Sequence, residues 1–127
     1  MLKKNVNNLE WQERFVYLKN VVFDEKTLHQ SGTKFQIIRF LPGAGIGPHF
    51  HNNVCEIFYV KKGKGVFIFN NVPVEAVEDD IFLCQPKDVH EIINKGKEEL
   101  MILIFKTNED AKDITWVNPA DSEKFGE

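Results

Sequence analysis

The segment GPHFHNNVCE, residues 47–56, holds two histidines one residue apart, His49 and His51, and a glutamate, Glu56, five residues after the second. Imidazole nitrogens and a carboxylate oxygen are the donors that first-row divalent metals take. Side chains alternate faces along extended chain, so His49 and His51 project to one side while Pro48, Phe50 and Asn52 project to the other. Asn52 to Cys55 turn the chain, and in the strand after them Glu56, Phe58 and Val60 share a face. Glu56 can therefore return beside the two imidazoles. If VHEII (89–93) is a neighbouring strand, His90 can add a third imidazole, with Asp88, Ile92 and Asn94 on its face. Three neutral nitrogens and one carboxylate bind one divalent ion and leave one or two positions for water or substrate. A strand histidine is also commonly a hydrogen-bonded core residue, so the His-x-His pair alone does not decide the matter.

The elements that must position these residues are short apolar runs broken by turn residues. KFQIIRFL (34–41) meets a Gly/Pro turn from Pro42 to Pro48, EIFYV (56–60) meets KKGKG, and VFIFN (66–70) meets NVP. VPVEAV (72–77) meets EDD, IFLC (81–84) stops at Gln85-Pro86, VHEII stops at NKGK, and LMILIF (100–105) runs into a charged tail. Strands at intervals of about eight to twelve residues predict an all-β sandwich or barrel. The stretch EWQERFVYLK (10–19) reads both as a helix, through Trp11, Phe15 and Leu18, and as a strand, through Phe15 and Tyr17. A strand preceded by a mobile arm is the reading adopted. The domain expectation is an arm over 1–14, a barrel over 15–106 and an acidic tail over 107–127, whose Trp116 and Phe125 cover the barrel or a neighbouring subunit. GAGIGP (43–48) has no helix pattern after it to make a phosphate-binding loop, and KKGKG reads as a solvated hairpin loop.

Composition narrows the function classes. The 127 residues fit one domain, and a net charge of −3 points to no nucleic-acid partner. No apolar run approaches a membrane span, and MLKKNVNNLEWQERF lacks the apolar stretch of a secretion signal. Two cysteines, Cys55 and Cys84, are too few for a disulfide framework and neither lies in a CxxC; a cytoplasmic protein is expected. Cys55 and Cys84 read as packing residues. Gln36 and Arg39 lie on opposite faces of their strand, so one of them can face inward toward an anionic substrate. LMILIF and VFIFN are apolar on both faces, which asks for a cover over the outer one and leads us to expect a homodimer.

Gly43-x5-His49-x-His51-x4-Glu56-x6-Gly63 fits, position by position, the first signature motif of the cupin family, and Asp80-x5-Pro86-x-Asp88-x-His90-x3-Asn94 approximates the second. Two aspartates, Asp80 and Asp88, stand where that motif has glycines, and His90 comes one residue early after Asp88. Over residues 43–94 the chain thus resembles a cupin. The resemblance implies a single-domain, six- to eight-stranded jelly-roll barrel with a metal in its mouth. By transfer, His49, His51, Glu56 and His90 are ligands of one divalent transition metal per chain: manganese, iron, nickel, zinc or copper. It also implies a small-molecule ligand or substrate. Glu56 and Asp88 are the expected catalytic residues; the Asp88 carboxylate could hold an imidazole tautomer, take a proton from substrate, or simply stabilise the Pro86 turn. The expected function is a dioxygenase- or isomerase-type enzyme on a small polar metabolite that chelates the metal, with a non-catalytic binding or sensing module as the alternative.

Overall fold

The apolar runs fold as strands. The structure, a computed structural model that describes residues 1–125, contains β1 (Gln12–Glu13), β2 (Tyr17–Phe23), α1 (Glu25–Leu28), β3 (Lys34–Phe40), β4 (Gly45–Phe50), β5 (Cys55–Lys62), β6 (Gly65–Phe69), β7 (Val72–Ala76), β8 (Ile81–Cys84), β9 (His90–Ile93), β10 (Leu100–Thr107), β11 (Thr115–Trp116) and α2 (Asp121–Phe125). No helix among the described residues is long and apolar enough to cross a membrane. Two antiparallel sheets face each other, one ordered β1-β2-β3-β10-β5-β8 and the other β11-β4-β9-β6-β7. This is the jelly roll predicted from sequence, built as a sandwich of two sheets and not as one continuous ring of paired strands.

The period of two assigns the faces. Along β10, Leu100, Ile102 and Ile104 are buried while Met101, Leu103 and Phe105 are only half-buried. The inward set meets Ile38, Phe40, Phe58, Val60, Phe67 and Ile92 between the sheets. The phenylalanines pack as rings: Phe67 stacks on Phe82 at 4.6 Å and meets Phe58 edge-on at 5.6 Å. Asn94, fully buried, ties the floor together; its Nδ2 donates to Phe40 O and Glu98 O, and its Oδ1 accepts from Gly96 N.

Cross-strand register lays the inner face of the six-stranded sheet out in rungs. Gln36, Ile104, Phe58 and Phe82 are aligned on one; Lys34, Lys106, Glu56 and Cys84 are aligned on the next, at the mouth. The apolar floor thus gives way to a charged rim within one rung.

Within 10–19 the structure has the strand adopted from sequence and no helix: β1 (Gln12–Glu13) folds back on the start of β2 across a bend. One segment departs from the sequence reading. The Gly/Pro stretch expected as a turn over 42–48 turns only at its start and then becomes β4. Its glycines serve close approach: a Cβ on Gly45 would lie 2.5 Å from Ile92 O on the paired strand β9, and one on Gly47 would lie 2.3 Å from Asp121 Oδ2 of α2.

Candidate metal centre

His49 comes from β4, His90 from β9 and Glu56 from β5, while His51 lies just past the end of β4. His49 and His90 are register partners within one sheet, and Glu56 faces them from the other. All four are buried, between 2% and 8% exposed.

Each imidazole is aimed by a main-chain carbonyl at its Nδ1: Gly47 O for His49 (2.8 Å), Asp113 O for His51 (2.6 Å) and Asp88 O for His90 (2.9 Å). A carbonyl can only accept, so each Nδ1 carries the proton and each neutral ring presents a lone pair at Nε2. The three rings form one group able to hold a metal ion, and Glu56 joins His90 in a second overlapping group with Cys84. His51 Nε2 is 2.8 Å and His90 Nε2 3.3 Å from Glu56 Oε1, yet all three atoms are buried without an aligned hydrogen bond. Orphaned buried polar atoms are costly unless another partner satisfies them. A metal would do so: with bonds of about 2.1 Å, neighbouring octahedral ligands are about 3.0 Å apart, which the two separations bracket. The donors therefore fit a divalent metal.

Electrostatics agree with that assignment. Burial, aided by the neighbouring His90, pushes His49 down to about 3, so its ring is neutral at ordinary pH. Burial also pulls His51 down, but the Glu56 carboxylate outweighs it and the net shift is upward. Burial acts to raise Glu56, and the adjoining His51, His90 and Lys106 overcome it, holding the carboxyl well below its usual range. Cys84 lies behind the site, its Sγ 3.1 Å from His90 Nδ1, the edge turned away from the donor nitrogen. Burial raises its thiol far above the usual value, and a protonated thiol is a poor metal ligand.

Of the sequence-predicted site residues, the structure brings His49, His51, Glu56 and His90 together; the short second motif still aims His90 inward. Asp88 stands apart. Its carboxylate accepts from Gln85 N (3.0 Å) and Asn70 Nδ2 (3.3 Å) across the turn, and it is the Asp88 carbonyl that reaches the site. Gln36 faces inward, whereas Arg39 faces outward, paired with Glu99 and stacked over Trp11 at 4.7 Å. His29 caps α1 on the surface, away from the site.

The tail contributes more than a cover. β11 pairs with β4, placing Trp116 opposite His49 with ring centroids 4.8 Å apart, and Phe125 packs on Trp116. Besides lending its carbonyl to His51, Asp113 takes three backbone N–H groups, those of Asn52, Asn53 and Val54, on its carboxylate. Those bonds, from Asn52 first, lower its pKa and fix the loop between His51 and Glu56. Nothing in the sequence around Asp113 distinguishes it from the other acidic tail residues. The sequence reading did not single out Lys106, although it continues the parity of Ile102 and Ile104, which points it inward. The cavity over the site measures about 480 Å³ and is walled by Gln36, Phe58, Lys106, Ile114 and Trp116 among others.

A two-sheet jelly roll with a buried cluster of three histidines and a glutamate at its mouth defines the class of small metal-capable β-sandwich proteins. The cupin-domain family profile matches residues 36–106, and the chain belongs to the cupin family. It is 28% identical over 82 residues to an oxalate-binding protein of Thermotoga maritima, spanning 65% of this chain and 68% of that one. Among solved structures, a predicted oxalate decarboxylase from Thermotoga maritima superposes with a TM-score of 0.78 at 20% identity, covering 84% of this chain and 98% of the other. The polyketide cyclase RemF of Streptomyces resistomycificus gives 0.79 at 13% identity, covering 93% and 86%. At these identities the structural likeness is one of fold.

Proposed function

We propose that this cupin is a metal-dependent enzyme of the dioxygenase or isomerase type, acting on a small polar metabolite that chelates the ion. His49, His51 and His90 hold the metal through Nε2 and Glu56 through its carboxylate. The observation that carries the reading is the grouping of three carbonyl-fixed imidazoles within metal-holding distance, two of which, His51 and His90, place Nε2 2.8 and 3.3 Å from the buried, unpartnered Oε1 of Glu56. A bound divalent ion would supply Lewis acidity, and for a redox-active metal oxygen chemistry. The chain's own residues do the rest. The carbonyls of Gly47, Asp88 and Asp113 keep the rings oriented, and Trp116, Phe58 and Ile114 exclude water. Glu56 is the acidic group nearest the reacting space and the catalytic residue we assign. Asp88 supports the turn before β9 and acts through its carbonyl.

A second reading is supported by the oxalate-binding relative: a module that holds a small carboxylate without turning it over. One experiment separates the two. Protein purified without a histidine tag should carry about one transition-metal ion per chain, and oxalate or a hydroxy acid should raise the melting temperature of the loaded protein only. Consumption of the ligand, lost in Glu56→Gln that still holds metal, supports the enzyme. A thermal shift with no ligand consumed over hours, in air and with iron or manganese supplied, supports the binding module. Less than a tenth of an equivalent of every transition metal, with none taken up on addition, refutes both.

A further inference from the structure

The mouth of the cavity carries a lysine that is not among the metal donors. Lys106 shares a rung with Glu56 and points inward, its side chain 17% exposed and its Nζ 3.8 Å from Glu56 Oε2, beyond hydrogen-bond reach. The other carboxylates on the cavity wall are engaged: Glu109 pairs with Lys34 at 3.3 Å, Asp110 accepts from Lys112 N, and Asp113 binds the 52–54 loop. With neutral imidazoles, a divalent metal and Glu56 leave one net positive charge and the Lys106 ammonium adds a second beside it; Lys34 offsets Glu109, and Lys19 set against Asp110 and Asp113 leaves the loaded cavity one net positive charge. A partly dry mouth with that excess attracts an anion far more strongly than water would allow.

A second, independent feature lies one rung deeper. Gln36 lines the same cavity, is 3% exposed, and its Oε1 is buried with no hydrogen-bond partner. Its amide can present either its oxygen or its NH₂ to a ligand, since the two ends exchange by a flip.

We propose that Lys106, with the amide of Gln36 beneath it, forms a specificity-determining subsite that makes the cavity select small doubly charged carboxylates over singly charged ones of the same shape. The inference rests on the metal reading above, because the ion is chelated by the ligand while the ammonium meets the outer oxygen of its second carboxylate. Lys106 meets the ligand and adjoins Glu56 at 3.8 Å, and is not itself a metal donor.

Oxalate and oxamate differ by one carboxylate replaced with an amide and are otherwise alike in size and bite. Zinc-loaded protein titrated calorimetrically should bind oxalate at least about tenfold more tightly than oxamate, as one lost charge-assisted contact implies. In Lys106→Gln the oxalate-to-oxamate ratio should fall at least about threefold below its wild-type value with zinc stoichiometry unchanged, and in Lys106→Arg it should persist. Gln36→Leu should weaken both ligands while keeping the ratio. Zinc content, measured on the same samples, reports on the metal reading alone. Loaded wild-type protein that binds the two probes equally, or a ratio unchanged in Lys106→Gln, overturns the Lys106 assignment and leaves the metal centre standing.

Discussion

Protons decide how the donor set behaves. His49 stays neutral down to about 3, so it does not compete for protons at ordinary pH. His51 does: its pKa is raised above the usual 6.5 by Glu56, and a ring must give up its Nε2 proton to bind metal. Metal affinity should therefore keep rising with pH above 6.5, where an unperturbed imidazole would already have levelled off. Competitive zinc titrations at several pH values check this; affinity flat above pH 6.5 would contradict it. In protein stripped of metal the signs differ by residue. The raised His51 stabilises the fold below 6.5 and loses that contribution as pH rises through its folded value. The lowered His49 stabilises above 6.5 and loses its contribution as pH falls from 6.5 toward about 3.

At the scale of elements, the tail segment Asp113–Trp116 is the piece on which the site most depends outside the motifs. Asp113→Ala should cost about 1–2 kcal/mol of stability, the range for losing a cap on orphan N–H groups. It should also lower metal affinity by about 10- to 100-fold, as loss of a group that orients a ligand does. Urea unfolding and zinc competition measure the two separately, and unchanged metal affinity would show that the 52–54 loop holds itself. The strands were legible because period-two patterning and turn residues agree: IFLC is β8 at the residues expected, and KFQIIRFL is β3 but for its last residue. The four candidate ligands were legible because parity places them on facing strands. The Asp113 strap was not, since its partner loop is some sixty residues away and no local pattern encodes that pairing. Glycine was misread for a related reason. Gly45 and Gly47 look like a turn in sequence, and only the neighbouring strand and α2 show that they are flat spots in a strand.

For the whole molecule, the outer face of the six-stranded sheet sets the expectation. Residues before β2 cover one half of it, with Trp11 under Arg39 and Lys4 Nζ donating to Val22 O. Over β10, β5 and β8 the register aligns Phe105, Ile57 and Leu83 on one rung and Leu103, Tyr59 and Ile81 on the next. Ile57, Leu83 and Ile81 are 42%, 54% and 65% exposed. A contiguous apolar patch of this kind marks an interaction surface, and a second copy of the chain is the occupant we expect. Light scattering at micromolar concentration should return a dimer, and Leu83→Lys should return a monomer; a monomeric wild type would refute the expectation. A different consequence follows from the carbonyls behind the three histidines. Every residue carries a main-chain carbonyl, so none of those three hydrogen bonds depends on a particular side chain. The aiming of the rings is thereby insulated from substitution except where a side chain places the carbonyl, as the Asp113 carboxylate does, while the walls that meet the ligand, Lys106 and Gln36 foremost, remain free to vary. A lineage can exchange one ligand for another by rewriting two side chains, with the centre inherited intact.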